Sequence, residues 1–591
     1  MSAHAMPFGT EMHADGVRFS LWAPLHQLIT LQIAGQPERL PMRREADGWH
    51  RLTTERAAAG SRYRFILPDG TAVPDPASRF QPDDVHGASE VVDSRAYVWG
   101  DAHWRGRPWH EAVVYELHLG CFTAAGTFTS AIERLAHLRE LGVTAIELMP
   151  LADFPGSRNW GYDGVLPFAP DASYGNPHQL KALIDAAHAH GLMVLLDVVY
   201  NHFGPEGNYL SLYSPQFFSA RHHTPWGAAI NFDGEDSHTV REFFIHNALY
   251  WLTEFHCDGL RLDAAHAILD DGPTHFLAEL AQRARAAVPD RALHLVLENE
   301  DNQAHFLERD ANGKARLFSA QWNDDAHHVL HAAASGDAEG YYSDYIGQTD
   351  RLGRALAQGF AFQGELMPYR GSVRGEPCTH LPPSAFVAFI QNHDQIGNRA
   401  FGERITALAP AAAVRAIAAV YLLLPQIPML FMGEEWQCSR PFQFFCDFGG
   451  ELGAAVADGR RQEFARFQAF RDQSMRARIP DPQALQTFSN SKLDWGELGA
   501  PESVATLRWY RELLAVRHRH IVPLLPGLRA GEFQVLGASS VLVRWQGSGS
   551  TELTLMANLS DQSGDAFPSA PGTLLWQEGR GAWSVRWSLR A

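Results

Sequence analysis

The sequence predicts an α/β protein built around a (β/α)8 barrel, with one β-sandwich before the barrel and a second one after it. Three observations predict this fold. The chain has 591 residues, 46% hydrophobic and 20% charged, so it can bury several cores and lacks the composition of a disordered chain. Its central part alternates eight short apolar runs with helical patterns. Both ends carry short alternating runs that are typical of antiparallel strands.

Charge, cysteine content and apolar length exclude several classes of function. There are 49 Lys and Arg against 67 Asp and Glu, a formal net charge of -18, and no basic block, so we expect no nucleic-acid partner. The five cysteines are scattered and odd in number, which favours a reducing compartment over a disulfide framework or a zinc site. The N-terminus shows no signal-peptide pattern, and the longest apolar stretch, 416–432, is too short to span a bilayer. We expect a soluble cytoplasmic protein without a membrane partner.

The first 95 residues predict the N-terminal β-sandwich. Residues 17–22 and 62–67 alternate polar and apolar side chains, and Gly and Pro separate such runs, as in short antiparallel strands.

Residues 96–520 predict the barrel. Helix signals separate its apolar runs: capping boxes at 130–133 and 239–242, a stop at Gly142, and Asn176 as N-cap before Pro177. Eight parallel-type strands favour a closed (β/α)8, or TIM, barrel over an open sheet. The candidate strands are 113–117, 143–149, 192–199, 259–263, 293–297, 317–321, 386–391 and 428–432.

Residues 521–591 predict the C-terminal β-sandwich. A helix at about 504–518 closes the barrel, and alternating runs at 540–545 and 552–556 follow it.

Four carboxylates end or follow the apolar runs: Asp197, Asp263, Glu298 and Asp394. The active site of a (β/α)8 barrel lies at the C-terminal ends of its strands. One carboxylate at such a position is more often a helix cap or a loop hydrogen-bonding group. Four that converge on one barrel mouth indicate catalysis.

Two of these carboxylates suit complementary roles. Arg261 lies two residues before Asp263, so both side chains share one face of the strand, and we expect the arginine to keep Asp263 ionised, as a nucleophile requires. Glu298 has no adjacent cation in sequence, so it is the candidate proton donor with a raised pKa; Glu300 is the alternative. Glycoside hydrolysis uses such a pair, and retention of configuration needs the two carboxyl groups about 5 Å apart.

Aromatic residues in the loops favour a sugar substrate, because flat rings suit the apolar faces of pyranoses. Core filling is the alternative for each ring. The candidates are Trp160, Tyr162, Tyr174, Trp226, Trp322, Tyr341, Tyr342 and Trp436.

We expect no metal and no organic cofactor. Asp324, Asp325, His327 and His328 form a cluster of possible ligands, but adjacent residues seldom converge on one ion without distant partners.

Residues 197–202 and 259–263, Glu298 and residues 392–394 resemble, in order and spacing, the four signature regions of the α-amylase family of glycoside hydrolases. The resemblance implies a retaining mechanism with three catalytic residues. Asp263 would be the nucleophile, Glu298 the general acid/base and Asp394 a stabiliser of the transition state. It also implies that Asp197 supports the site and that the sugar at the cleavage point is surrounded by Tyr162, His202, Arg261 and His393.

The closer likeness within that family is to members that act on maltooligosyl trehalose. It implies hydrolysis of the α-1,4 bond next to the terminal trehalose unit, with release of trehalose. It also implies an N-terminal sandwich of the carbohydrate-binding type and a pathway link to a synthase that makes the substrate. The segments that carry this likeness are 75–82, 158–164, 224–227, 321–325, 392–399 and 431–436.

Two further substrate-binding residues are expected on the leaving-group side, and two other functions remain open. His266 stands where many amylases carry a Lys-His pair, and Asp325 is a candidate contact of the trehalose end. One alternative is a glycogen or starch branching or debranching enzyme. The other is a non-catalytic carbohydrate-binding protein.

Overall fold

Eight parallel strands, joined in chain order, form a closed barrel in the middle of the chain. The structure, a computed structural model, describes residues 3–563, 567–569 and 572–591; residues 1–2 of the expected N-terminal domain and residues 564–566 and 570–571 of the expected C-terminal domain lie outside it. The barrel strands are Val114–Leu117, Ala145–Leu148, Met193–Val198, Gly259–Leu262, His294–Leu297, Ala320–Trp322, Phe386–Ala388 and Ile427–Phe431. The predicted barrel and its eight strands are confirmed.

Helices surround the barrel and connect its strands. They are Leu119–Phe122, Phe128–Ile132, Leu135–Leu141, Pro177–Ala189, Leu210–Tyr213, Ser237–Thr253, Phe276–Ala287, Asp324–Ser335, Thr349–Gln358, His393–Gly397, Ile405–Leu408, Ala411–Tyr421, Gly450–Phe464, Gln473–Arg476, Leu485–Asn490 and Pro501–Val516. Among the described residues no helix is both long and apolar enough to cross a membrane.

Of two predicted helix starts, the one at Asn176 is confirmed and the one at Ser130 is corrected. Asn176 caps the helix whose first residue is Pro177, as predicted. The capping box placed at Ser130 begins one turn earlier: Thr127 is the N-cap, and the Ser130 side chain binds the Thr127 backbone. Ser130 is therefore the third helical residue rather than the cap.

The capping box predicted at 239–242 is wrong. The helix begins at Ser237 after Asp236. The Glu242 carboxylate pairs with Arg283 instead of turning back to the helix start. A tertiary ion pair has replaced the local contact that the sequence motif suggested.

The N-terminal domain has two antiparallel sheets, as predicted. One contains Gly9–His13, Gly16–Trp22, Trp49–Thr54 and Arg43–Arg44, and the other contains Arg39–Pro41, Thr30–Ile33, Arg62–Ile66 and Ala72–Val73, with Ser89–Glu90 added at Arg62–Ile66. Side chains of both sheets, including Phe19, Leu31 and Phe65, are fully buried. Phe8 packs edge-on against Phe243 of a barrel helix, with ring centroids 5.3 Å apart.

The described strands of the C-terminal domain form one five-stranded antiparallel sheet, which corrects the predicted sandwich. The order is Glu532–Gly537, Ser540–Gln546, Glu552–Asn558, Ala582–Arg590 and Thr573–Arg580. Trp587 donates from its indole N–H to the Ala419 carbonyl at 3.0 Å, and Trp545 donates to the Ala357 carbonyl at 3.2 Å. Helices of the barrel therefore cover the buried face that a second sheet would otherwise cover.

Three small antiparallel strand pairs lie in the loops that follow barrel strands. They are Ala152–Asp153 with Leu166–Pro170, Phe218–Thr224 with Gly227–Ile230, and Glu365–Met367 with Ser372–Arg374. The first two pairs directly follow the loops that leave the second and third barrel strands, so they lie at the barrel end where catalytic residues are expected. The third pair follows the helix Thr349–Gln358, and the contact of its Arg374 with Asp325, just after the sixth strand, places it at the same end.

Candidate active site

All four predicted carboxylates lie at the C-terminal ends of barrel strands. Asp197 is the last residue but one of the third strand, and Asp263 and Glu298 directly follow the fourth and fifth strands. Asp394 lies in the first turn of the short helix His393–Gly397, after the seventh strand. The barrel topology therefore brings together residues that are far apart in sequence.

Arg261 joins three of these carboxylates. Its Nη1 lies 2.6 Å from Asp197 Oδ2 and 3.0 Å from Asp263 Oδ1, and its Nη2 lies 2.8 Å from Glu298 Oε2. The guanidinium is fully buried, and its Cζ is 4.0 Å from the ring centroid of Trp322. Asp263 and Glu298 thus contact one rigid cationic fork.

Glu298 has no adjacent cation in sequence, but the fold brings Arg261 beside it. Arg261 pairs in register with Val296 of the adjacent strand, and its long side chain reaches the strand end where Glu298 lies. The pairing is invisible in sequence because it depends on the register of two strands.

Backbone and amide donors fix both central carboxylates. Asn201 donates from Nδ2 to Asp263 Oδ2 at 2.8 Å, and the Ala264 N–H donates to Glu298 Oε2 at 2.8 Å. Ala264 has φ +39, a left-handed backbone that costs a non-glycine residue on the order of 1 kcal/mol or more. The surrounding structure holds this strained turn and with it the orientation of Glu298.

Asp197 is the most deeply buried of the four carboxylates. It is 3% exposed, and its Oδ2 accepts from the Tyr162 hydroxyl at 2.6 Å as well as from Arg261. Burial raises the pKa of Asp197 to about 7, although Arg261 and Tyr162 favour its charged form. These contacts link the loop of Tyr162 to the barrel strands.

His393 and Asp394 lie near Arg261 and Glu298, in the short helix that follows the seventh strand. His393 Nε2 is 3.5 Å from Asp394 Oδ1, and the His393 ring stacks on Tyr162 with centroids 5.0 Å apart. Burial disfavours the imidazolium, but the charges of Asp394 and Glu116 outweigh it and raise the pKa of His393 to about 9. Burial raises the pKa of Asp394, against the effect of His393. The imidazole of His393 and the carboxyl group of Asp394 therefore lie side by side.

The predicted histidines 202 and 266 lie in loops of the same end. His202 Nε2 is 3.0 Å from the Tyr162 carbonyl, and its ring stacks on Trp226 with centroids 4.8 Å apart and an angle of 10°. The Glu300 backbone N–H donates to His266 Nδ1 at 3.3 Å. The Glu300 side chain is exposed, whereas Glu298 holds the position beside Arg261.

Asp325 does not face the open site, which corrects its predicted role as a substrate contact. It is fully buried. Its Oδ1 accepts from Arg374 and from the Tyr345 hydroxyl, both at 2.6 Å, and its Oδ2 accepts from the Ala361 N–H at 2.7 Å. Its contacts hold the Arg374 hairpin to the barrel.

Asp324 is the half-buried neighbour of Asp325, and sequence analysis did not select it as a site residue. Burial, together with the charge of Glu298, raises the pKa of Asp324 well above its usual value. Both aspartates lie in the first turn of the helix Asp324–Ser335, and only the packing of that helix decides which one is fully buried, so no sequence signal separates them.

The suggested metal-ligand cluster at residues 324–328 does not converge. Asp325 binds Arg374, and the two ring nitrogens of His327 contact the Ile390 carbonyl and the Tyr342 hydroxyl.

A different group, found within the described ranges, is His222, Asp233 and Asp271, whose ligand atoms lie within 4.8 Å of one another. Arg221 contacts both of these carboxylates, at 3.5 Å and 3.0 Å, so their charge is already partly compensated.

Comparisons with known proteins identify the family. Residues 78–222 match a family model described as alpha amylase, catalytic domain, and residues 528–589 match a domain of unknown function, DUF3459. A malto-oligosyltrehalose trehalohydrolase of Deinococcus radiodurans is 44% identical over 504 residues, which are 85% of this chain and 81% of that protein. The chain belongs to the malto-oligosyltrehalose trehalohydrolase family.

Other relatives extend the family match. The malto-oligosyltrehalose trehalohydrolase of Saccharolobus solfataricus is 41% identical over 87% of each chain. A crystal structure of a Salmonella typhimurium protein described as an alpha amylase has a TM-score of 0.95 and 46% identity, covering 99% of this chain and 100% of that one. A 1,4-alpha-glucan branching enzyme of Corynebacterium jeikeium is 32% identical over only 44% of this chain and 39% of that enzyme. The predicted family membership is confirmed, and the chain is a glycoside hydrolase of the α-amylase type.

Proposed function

We propose that the protein hydrolyses the α-1,4-glucosidic bond next to the terminal trehalose unit of maltooligosyl trehalose and releases trehalose and a maltooligosaccharide. The single observation that carries the chemistry is Arg261, which contacts both Asp263 and Glu298 at one barrel mouth. Two carboxyl groups across one guanidinium fork suit the short separation, about 5 Å, of retaining enzymes. The names of the family members supply the substrate.

Asp263 is the proposed nucleophile. Arg261 and Asn201 bind its carboxylate and leave it ionised and oriented, so that an oxygen can attack the anomeric carbon. Glu298 donates its proton to the glycosidic oxygen, and the trehalose unit leaves. Glu298 then takes a proton from water, which attacks the glycosyl–Asp263 ester and completes a double displacement with retention.

Asp394 and His393 are the proposed grip on the sugar whose anomeric carbon is attacked. They lie beside each other at the end of the seventh strand, and both can bind hydroxyl groups. Hydrogen bonds that strengthen as the sugar flattens toward an oxocarbenium ion stabilise the transition state more than the bound substrate, and so lower the activation free energy. Tyr162 packs against His393 and presents an aromatic face to the same sugar.

Exposed aromatic residues extend the proposed site beyond the reacting bond. Trp226 is 51% exposed, Tyr341 36% and Tyr369 49%, and Tyr341 and Tyr369 meet edge to face with centroids 6.4 Å apart. Large exposed rings around a polar mouth are what glucan chains bind. We assign these rings to flanking glucose units.

The experiment is incubation with maltotriosyl trehalose followed by chromatography of the products. We expect free trehalose and maltotriose in equal amounts. An absence of trehalose would reject the substrate assignment. New branch points or debranched chains from glycogen, detected by chain-length analysis, would favour the branching or debranching alternative.

The proposal includes a pathway and a compartment. A substrate that ends in trehalose requires a preceding enzyme that converts the reducing end of a maltooligosaccharide, so we infer a maltooligosyl trehalose synthase as pathway neighbour. All five cysteines are buried free thiols, which suits the reducing cytoplasm. Cell fractionation tests the compartment.

A further inference from the structure

Two glutamates lie side by side inside the barrel wall and have different surroundings. Glu116 of the first strand and Glu147 of the second are paired in register, and they are 1% and 2% exposed. Glu116 Oε1 is 2.5 Å from His393 Nδ1, and Glu116 Oε2 accepts from the His393 backbone N–H at 3.1 Å. Glu147 Oε1 has no hydrogen-bond partner among the described residues. Only one of the two glutamates is engaged with the active site.

The contact of Glu116 reaches the reacting centre through the His393 ring. The ring is 1% exposed, its Nδ1 faces Glu116, and its Nε2 faces Asp394 at 3.5 Å. Trp160 contacts the ring edge-on, with centroids 5.5 Å apart. An imidazole between two carboxylates donates from both nitrogens when it is protonated, so its orientation and its charge are set together.

We propose that Glu116 is a positioning residue for the hydrolysis: it keeps His393 doubly protonated and aims the Nε2–H of that ring toward Asp394 and the sugar hydroxyl between them. This inference rests on the proposed function. Glu116 does not touch the substrate in this arrangement. It acts through His393, which it binds at two points, and so fixes both the ring and the backbone that begins the helix of Asp394.

The charges that face His393 favour this reading. Two carboxylates, Asp394 and Glu116, raise its pKa to about 9 against burial, and Arg261 opposes them. The other ionisable groups around the ring contribute little positive or negative charge: Tyr162 is a phenol with a raised pKa, burial lowers the pKa of His118 to about 4, and burial raises the pKa of Glu147 well above its usual value. The loss of one carboxylate charge should therefore bring the pKa of His393 back toward 6.5.

The test uses Glu116→Gln, which keeps the shape and an accepting oxygen but removes the charge. The substrate is α-maltosyl fluoride, because fluoride leaves without a proton donor, so the titration of Glu298 no longer limits the rate at high pH. For the wild type we expect kcat to fall at about pH 9, the pKa of His393. For Glu116→Gln we expect this fall to move down by about 1 to 3 pH units, measured relative to the variant's own rate at acidic pH.

The matched control is Glu147→Gln, which makes the same change one strand away. Because it is Glu116 that bonds to His393, and burial disfavours the charged form of Glu147 and raises its pKa, we expect the pH profile of Glu147→Gln to follow the wild type. Glu116→Asp keeps the charge at a longer distance, and its fall should lie between those of the wild type and of Glu116→Gln. A purely structural role would lower all rates without moving the profile.

Three results would overturn the inference: a wild-type profile without a fall near pH 9, a Glu116→Gln profile parallel to the wild type, or a shift in Glu147→Gln as large as in Glu116→Gln. If circular dichroism shows that Glu116→Gln does not fold, Glu116→Asp decides, and an unmoved profile would then reject the role. Trehalose release from maltotriosyl trehalose is measured on the same preparation. If no trehalose is released, the proposed function fails. If trehalose is released and the pH profiles do not move, only the positioning role of Glu116 is rejected.

Discussion

The guanidinium of Arg261 governs the behaviour of single residues at the barrel mouth. It binds Asp197, Asp263 and Glu298 at once, so none of these carboxylates turns freely. A catalytic pair that is held before substrate binds loses little orientation entropy in the reaction. Asp263 and Glu298 are proposed to have different chemical roles, and substitution of each carboxylate by the amide of the same shape tests these roles separately.

Asp263→Asn keeps the shape and can still accept from Asn201. We expect kcat on maltotriosyl trehalose to fall at least about a thousandfold, because an amide oxygen does not form the glycosyl ester. Calorimetry of substrate binding should give an affinity near the wild type. Wild-type turnover by this variant would remove Asp263 from the mechanism.

Glu298→Gln removes the proposed proton donor. We expect kcat/KM, which reports the formation of the glycosyl ester, to fall about 10²- to 10⁴-fold on maltotriosyl trehalose and much less on α-maltosyl fluoride. Glu300→Gln, at an exposed neighbouring position, should retain most activity on both substrates. Equal losses of Glu298→Gln on the two substrates would contradict its role as acid.

The hairpin formed by Glu365–Met367 and Ser372–Arg374 shows how one element depends on a buried charge. Its last residue, Arg374, binds the fully buried Asp325, and the Tyr345 hydroxyl lies within 2.6 Å of both side chains. The hairpin also carries Arg370, which pairs with Asp301 at 2.6 Å. These contacts tie the loop after the sixth strand to the loop after the fifth, where Glu298 lies.

Asp325→Ala leaves Arg374 buried without its carboxylate. We expect the free energy of unfolding to fall by about 3 to 5 kcal/mol, measured by urea denaturation. The KM of the folded enzyme should change little if Asp325 is structural. A large rise in KM without loss of stability would restore the original prediction that Asp325 binds substrate.

Sequence patterns predict elements well where local and tertiary preferences agree. The apolar runs at 192–199 and 259–263 correspond to Met193–Val198 and Gly259–Leu262, because a strand buried on both faces must be apolar throughout. The same runs place Asp197 and Asp263 at the barrel mouth. Contacts between strands carry no such local signal. Glu116 and His393 are 277 residues apart, and only the closure of the barrel brings them together.

At the scale of the whole molecule, the pKa of His393 couples the active site to stability. Its pKa is about 9 in the folded protein against an ordinary value of 6.5. A group whose pKa is raised by folding stabilises the protein fully below the unfolded value and loses that contribution as pH rises through the folded value. Asp197, with a pKa of about 7, acts in the same direction up to that pH.

We therefore expect the free energy of unfolding to fall between about pH 6.5 and 9, by roughly 3 kcal/mol if His393 dominates. Urea titrations across this range measure it. Glu116→Gln should flatten the dependence, because the pKa of its His393 lies closer to the unfolded value. A constant free energy from pH 6.5 to 9 in the wild type would contradict the raised pKa.

The two-sheet N-terminal domain and the barrel follow from patterns of strands and helices, whereas the layer behind the C-terminal sheet does not. Trp545 and Trp587 stack with centroids 5.7 Å apart and bond to carbonyls of barrel helices. An alternating pattern of polar and apolar residues in a strand indicates that one face of the sheet is buried. The pattern does not indicate whether a sheet or a helix covers that face. Here the covering helices contain Ala357 and Ala419, which are far from the sheet in sequence.

The shared guanidinium has a kinetic consequence. Arg261 only partly compensates the three carboxylates around it, but a glucan has no ionic group of its own. Encounter between the barrel mouth and a glucan thus involves no long-range Coulomb attraction that dissolved ions would screen. Turnover should be almost indifferent to ionic strength, even though the protein as a whole is strongly acidic.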